Sequence, residues 1–73
     1  MSKNKDLTIR EGTVEESLPG GAFKVRLVDE DRIVRGQLSG KMRKFRIKIV
    51  PGDRVSMEFT PYDEDLGRIN RRL

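Results

Sequence analysis

Apolar residues alternate with polar residues in four segments of the chain, the period-two pattern of β-strands that bury one face. The four predicted strands are residues 7–18, 23–27, 32–38 and 54–60. The pattern is clearest where Phe23, Val25 and Leu27 alternate with two basic residues. In the first strand, Gly12 indicates a strained or bulged position. The pattern therefore predicts short strands with one apolar face each.

Turn-forming residues separate the predicted strands. Pro19-Gly20-Gly21 and Pro51-Gly52-Asp53 predict tight turns, and Asp29-Glu30-Asp31 predicts the turn of a hairpin. Gly36, inside the third strand, indicates either a bulge or a close approach of backbones. The residues predicted to face the core from the third and fourth strands are Val34, Gly36, Leu38, Val55, Met57 and Phe59.

The segment between the third and fourth strands lacks this simple alternation. Ser39 is a good N-cap residue, and the residues from Lys41 to Lys44 after it can form a helical turn. Ile47 and Ile49 then resume the alternation, so we predict a helix of one or two turns at most.

The C-terminal part predicts a loop and one more strand. Pro61 stops the fourth strand, residues 62–66 predict an acidic loop anchored by Tyr62, and residues 68–71 predict a short final strand. Five strands with a helical insertion after the third predict an all-β fold, the five-stranded Greek-key barrel called the OB-fold. In this barrel we expect the last strand beside the first and the third. A small SH3-like barrel is the alternative, although it usually lacks a helix-sized insertion there.

Length and composition limit the possible functions. The chain has 73 residues, so we predict one domain over residues 7–73 preceded by a disordered leader at residues 1–6. At this length folding buries only roughly 60% of the unfolded surface, which leaves no deep substrate cavity. The sequence has no Cys and no His, so a thiolate nucleophile, the commonest general base and Cys/His zinc sites are missing. We predict a monomer that is not an enzyme and has no cofactor or metal.

Apolar runs are too short for insertion into a membrane. The longest, as at Ile49-Val50, have two or three residues, so the sequence predicts neither a signal peptide nor a membrane span. We therefore expect an intracellular protein.

Basic residues are concentrated in one part of the chain. Lys and Arg number 16 against 12 Asp and Glu, giving a net charge of +4 and a pI near 9.9. No acidic residue lies between Arg32 and Gly52, whereas seven basic residues do: Arg32, Arg35, Lys41, Arg43, Lys44, Arg46 and Lys48. Such a cluster is typical of phosphate binding that depends on salt rather than on base identity. The alternative is an ordinary solvated face, which more often mixes both signs of charge.

Two further groups of residues extend this candidate RNA-binding site. Arg68, Arg71 and Arg72 form a second basic cluster, which either joins the first or belongs to a fraying end. Phe45 can stack on an unpaired base, with Met42 packed on a sugar or base edge. Alternatively, Phe45 folds back to cover the open end of the barrel.

Seven short motifs resemble one known family along nearly the whole chain. In order they are Gly12-Thr13-Val14, Leu18-Pro19, Phe23-Lys24-Val25, Ser39-Gly40-Lys41-Met42-Arg43-Lys44, Pro51-Gly52-Asp53-Arg54-Val55, Thr60-Pro61-Tyr62-Asp63 and Gly67-Arg68-Ile69. Their order and spacing resemble bacterial and plastid translation initiation factor one. Each motif alone is weak, but the combination is specific.

The resemblance implies an OB-fold that binds ribosomal RNA at the aminoacyl-tRNA decoding site of the small ribosomal subunit. It implies that the protein blocks that site during initiation, cooperates with the other two initiation factors, and works in the cytoplasm or the plastid stroma. Residues 41–44 match the RNA-contacting insertion of the family, and Arg68 matches a basic position that faces RNA. The chain departs from the family at Arg46-Ile47-Lys48, where Tyr-Ile-Arg is frequent, although Arg46 can stack through its guanidinium plane.

Two alternatives from other classes remain. A ribosomal S1-like module would bind RNA generally without a role in initiation, but it would more naturally expose several aromatic residues, and only Phe45 qualifies here. An SH3-like adaptor would bind acidic peptides in an aromatic-lined groove, which one Tyr and no Trp make hard to build.

Overall fold

The computed structural model describes residues 7–73, and the predicted disordered leader lies outside the described residues. Its elements are β1 (Thr8–Leu18), β2 (Ala22–Leu27), β3 (Ile33–Leu38), α1 (Gly40–Lys44), β4 (Arg54–Thr60) and β5 (Asp63–Arg72). Within residues 7–73, no helix has the length and apolar character that crossing a membrane requires.

The five strands close into one barrel in the order β1-β2-β3-β5-β4. All neighbours are antiparallel except β3 and β5, which run parallel. The barrel with its single short helix after β3 confirms the predicted fold. The expected contact of the last strand with the first is wrong, because β4 occupies that edge of β1 from Thr8 to Thr13 and β5 pairs with β3 and β4 instead.

The irregularity in β1 lies at Glu15 rather than at Gly12. The register with β2 shifts between Val14 and Glu16, which allows β1 to bend from its pairing with β4 to its pairing with β2. Gly12 has a packing role, since a Cβ there would lie 3.0 Å from the carbonyl oxygen of Arg26. The predicted bulge at Gly12 is therefore wrong, and a close approach explains this glycine.

The inward-facing residues predicted from the alternation form the core. Its buried residues are Val14, Phe23, Val25, Leu27, Val34, Met42, Ile49, Val55, Met57, Phe59 and Ile69, with Leu38 and Ile47 packed against them. Gly36 marks a close approach and not a bulge, because it pairs in regular register with Gly67 and an added Cβ would lie 3.0 Å from Cε of Met57.

The last strand is longer than the sequence predicts. β5 begins at Asp63, so the loop predicted at residues 62–66 is reduced to the turn at Pro61 and Tyr62. Residues 63–66 are all exposed and thus lack the alternation by which a strand is recognised. Tyr62 is 94% exposed, so the prediction that it anchors a loop is wrong.

Candidate nucleic-acid interface

Helix α1 starts at a cap that ties it to the barrel. The Ser39 side-chain oxygen accepts a hydrogen bond from the backbone N–H of Met42 at 3.2 Å, which confirms the predicted N-cap. The backbone N–H of Ser39 donates to the carbonyl oxygen of Ile69 at 2.9 Å. The helix is therefore held against β5, immediately after the position of Arg68.

Helix α1 ends in a left-handed turn. The backbone N–H of Arg46 donates to the Arg43 carbonyl at 3.2 Å, and that of Ile47 donates to the Met42 carbonyl at 3.0 Å. These two bonds are the pair of the Schellman motif, in which the residue after the C-cap has a positive φ. Arg46 has φ 55° and is that residue. Phe45 and Arg46 are thus turned to solvent while Ile47 returns to the core.

Met42 faces the core and not the exposed side of helix α1. Its side chain is only 2% exposed, whereas Lys41 and Arg43 on either side of it are exposed. The prediction that Met42 packs on a sugar or a base edge is therefore wrong. Its character as the single apolar residue of α1 was the signal for this burial, because a helix on a barrel must bury one face.

Phe45 projects away from the barrel. Its side chain is 63% exposed, and the Nζ of Lys44 lies 5.9 Å from the centroid of its ring. The alternative in which Phe45 covers the open end of the barrel does not hold. The exposed ring next to a cation has the geometry that a stacking platform for an unpaired base needs.

The segment after α1 is fixed by hydrogen bonds from both backbone and side chains, although residues 47–50 have no regular secondary structure. The N–H of Val50 donates to the Asp53 carboxylate at 3.0 Å, and the N–H of Gly52 donates to the carbonyl of Val14 at 2.8 Å. The guanidinium of Arg72 donates to the Lys48 carbonyl at 3.2 Å. This bond joins the two basic clusters that are separate in the sequence.

Among residues 7–73, five cations form ion pairs: Arg10, Lys24, Arg26, Arg32 and Arg54. Arg26 binds both Glu15 and Asp31, and its hydrogen bond to Glu15, followed by that to Asp31, raises the pKa of Arg26. Arg32 binds two carboxylates at 3.2 Å, which withdraws it from the predicted basic segment.

Nine cations form no ion pair with any of the residues that the structure describes. We call them the unpaired cations: Arg35, Lys41, Arg43, Lys44, Arg46, Lys48, Arg68, Arg71 and Arg72. They are all exposed, and they include every basic residue of the two predicted clusters except Arg32. The separation of paired from unpaired cations was missed from the sequence, although the hairpin placing Glu16 opposite Lys24 was a signal for it.

Most of the unpaired cations lie at one end of the barrel, the helix end, formed by α1, residues 45–50 and the last residues of β5. Arg72 reaches Lys48 there, and Arg71 lies opposite Ser56 near the start of β4. Arg68 pairs in register with Gln37 on the outer face, one residue before the contact of β5 with α1. Arg35 lies farther away along β3, opposite Leu66.

The other end, the turn end, is formed by the β2–β3 and β4–β5 turns and has the opposite arrangement. A cleft of about 360 Å³ there is lined by Thr8, Arg10, Glu30, Arg32, Phe59, Thr60, Pro61 and Glu64. Glu30 binds Arg10 at 2.9 Å and Arg32 at 3.2 Å. Both arginines that line the cleft are therefore already bound by a carboxylate of the protein.

Comparisons with known proteins agree with the sequence resemblance. A model of the family described as Translation initiation factor 1A / IF-1 matches residues 2–73. The chain is 54% identical over 65 residues to the chloroplastic translation initiation factor IF-1 of Glycine max, an alignment covering 89% of this chain and 46% of that relative. The same-named protein of Buxus microphylla also shows 54% identity over 65 residues, with 83% of it covered. The chain thus spans less than half of the first relative and most of the second.

A solved structure shares the barrel. The solution structure of translation initiation factor IF-1 from the Wolbachia endosymbiont strain TRS of Brugia malayi matches with a TM-score of 0.79 at 40% identity. The match covers 99% of this chain and 84% of that one. The likeness therefore extends over the barrel and its helix together.

Proposed function

The chain belongs to the translation initiation factor 1A / IF-1 family, and from that premise we propose that it binds ribosomal RNA at the aminoacyl-tRNA decoding site of the small ribosomal subunit. The protein occupies this site during initiation, excludes tRNA from it, and acts together with the other initiation factors. It acts as a monomer on ribosomes of the bacterial type, in the cytoplasm or in the plastid stroma.

The observation that carries this proposal is the gathering of unpaired cations at the helix end. Lys41, Lys44 and Arg46 are exposed on one short turn of chain, and Arg72 reaches the backbone of Lys48 beside them. A phosphate backbone that meets this surface releases its counterions, which makes binding favourable without reading the bases. Phe45 adds an exposed ring that can stack on an unpaired base.

The proposed action requires occupancy and no reaction. The barrel measures about 34 × 30 × 22 Å, and its strands are paired on both sides around a buried core. A rigid body of this size keeps a competing ligand out of a site simply by filling it, with an effect set by mass action. The ion pairs at the turn end leave the helix end as the surface that a polyanion attracts.

Sedimentation with isolated ribosomal subunits tests the proposal. Labelled protein is mixed with small subunits, with large subunits, or with a structured RNA as competitor, and its position in the gradient is measured. We expect migration with the small subunit alone, at a competitor concentration that displaces nonspecific binding. Equal binding to both subunits and to the competitor would contradict the proposal and support a general RNA-binding module. Arg26→Gln, which removes one paired cation, is the control that should migrate like the wild type.

A further inference from the structure

Arg46 has a backbone conformation that its residue type disfavours. Its φ of 55° is the only positive φ outside glycine among residues 7–73, the others being at Gly20, Gly21 and Gly52. A Cβ is crowded against the following carbonyl oxygen in this left-handed region, which is why the residue after a helix C-cap is usually Gly, sometimes Asn. The turn after α1 would therefore be easier to form with glycine at position 46.

The fold gains nothing visible from the Arg46 side chain. The side chain is exposed and makes neither a hydrogen bond nor an ion pair with any residue in the described part of the chain. What stabilises the turn is the backbone, through the N–H groups of residues 46 and 47, and glycine would supply the same N–H. Strain that the surrounding structure maintains without a local benefit is typical of functional positions.

We propose that the strained turn of this chain carries Arg46, rather than the glycine that the fold prefers, because the Arg46 guanidinium binds a phosphate of the RNA directly. This inference rests on the proposed function and names one contact within it. The two backbone hydrogen bonds of the turn, at 3.2 and 3.0 Å, fix the point from which the side chain leaves the protein. Because the backbone is already ordered, binding costs only the freedom of the side chain and no additional ordering of the turn.

The neighbourhood of Arg46 suits a phosphate. Phe45 precedes it and Lys48 follows two residues later, both exposed, and the Nζ of Lys44 lies 5.9 Å from the centroid of the Phe45 ring. No carboxylate of residues 7–73 pairs with any of these cations, so a phosphate meets no competing anion there. A guanidinium can also bind two phosphate oxygens at once, which an ammonium group cannot do.

Three substitutions in the full chain test the inference, with thermal unfolding and binding to isolated small subunits measured for each. Arg46→Gly relieves the strain and removes the charge, so we expect Tm to rise by a few degrees, on the order of 4 °C. Its affinity should fall roughly 10-fold or more, and the log-log salt slope should shrink by about 0.7 to 0.9, the share of one phosphate. Arg46→Asn should behave in the same way, and it serves where the glycine variant folds poorly.

Arg46→Lys is the matched variant, because it keeps the charge and the strained Cβ. We expect it to keep the wild-type Tm and salt slope and to lose only the additional affinity of the planar guanidinium. A lower Tm in both Arg46→Gly and Arg46→Asn would overturn the inference by showing that the fold needs the side chain. So would unchanged affinity and salt slope in those variants. In either case, small-subunit binding by the wild type would still stand, whereas its failure would reject the proposed function itself.

Discussion

At the turn end of the barrel, Arg10 and Arg32 both bind Glu30, whereas at the helix end Lys41, Lys44 and Arg46 have no carboxylate partner among the described residues. The two ends belong to one small molecule and are joined by the same strands. At the turn end, the two arginines form ion pairs with Glu30 in the β2–β3 turn. At the helix end the charges have no such partner among residues 7–73, and under the proposed function they bind the phosphates of RNA.

The difference matters because clustered like charges repel each other in the free protein, and a polyanion relieves that repulsion on binding. A cation already bound to a carboxylate must give up its partner before it can bind a phosphate. The five paired cations therefore contribute to the fold, and the nine unpaired cations are available to RNA. Substitutions in four parts of the molecule test this division.

The largest effect is expected on the free energy of unfolding, from a substitution in the core that both ends share. Phe59 is 5% exposed and its ring packs where an added Cβ on Gly67 would lie 2.7 Å away. Phe59→Ala should destabilise the protein by roughly 3 to 5 kcal/mol, which is most of the stability of a domain this small. Urea unfolding followed by circular dichroism measures it. A cooperative transition at the wild-type midpoint would show that the ring is not part of the core.

The two faces of helix α1 should contribute very differently to the stability of the protein. Met42→Ala should cost about 2 to 5 kcal/mol of unfolding free energy, because the side chain is 2% exposed in the core. Lys41→Ala on the adjacent exposed face should change stability by less than about 0.5 kcal/mol. Thermal or urea unfolding of the two variants checks the contrast. Equal stability of the two would mean that the helix does not pack as described.

The exposed face of α1 should control the salt dependence of binding. Arg43→Ala combined with Lys44→Ala removes two unpaired cations. The log-log salt slope for small-subunit binding should then fall by about 1 to 2. Binding titrations at several salt concentrations give this slope, with circular dichroism to check the fold. If the slope stays at the wild-type value while the fold is intact, the phosphates lie elsewhere.

A substitution at the turn end should have the smallest effect on stability and on the salt dependence of binding. Arg32→Gln removes the exposed ion pairs with Glu30 and Asp65, so it should lower stability by at most about 1 kcal/mol. The salt slope of binding should remain that of the wild type, since a paired cation adds no phosphate contact. The same titration measures it. A slope that falls as it does in the Arg43 and Lys44 double variant would erase the distinction between paired and unpaired cations.

The sequence predicted those elements whose burial alternates. β2 and β4 carry three inward-facing residues each at alternate positions, so both strands and their inward faces were predicted correctly. The first half of β5 was not, because residues 63–66 are all exposed and so show no alternation, and they are recognised as a strand only through pairing with β3 and β4. The bulge at Glu15 was missed for a related reason, since it depends on the change of partner along β1.

The candidate site was predicted in composition but not in arrangement. The run of cations from Lys41 to Lys48 was visible directly, because no acidic residue interrupts it. Which cations remain unpaired depends on strand register, as in the pairing of Arg32 with Asp65 across 33 residues of sequence. The left-handed turn at Arg46 could not be predicted either, since no glycine or asparagine marks it.

Competition at the aminoacyl site of the small subunit tests the central claim most directly. Bound tRNA is measured at the aminoacyl and peptidyl sites while the protein is titrated onto programmed small subunits. We predict that saturating wild-type protein lowers occupancy of the aminoacyl site and leaves initiator tRNA in the peptidyl site. Arg43→Ala combined with Arg68→Ala should need a higher concentration for the same effect, because each loses roughly 1 to 3 kcal/mol of charge-assisted contact. Full and simultaneous occupancy of the aminoacyl site by tRNA and of the subunit by wild-type protein would contradict the account.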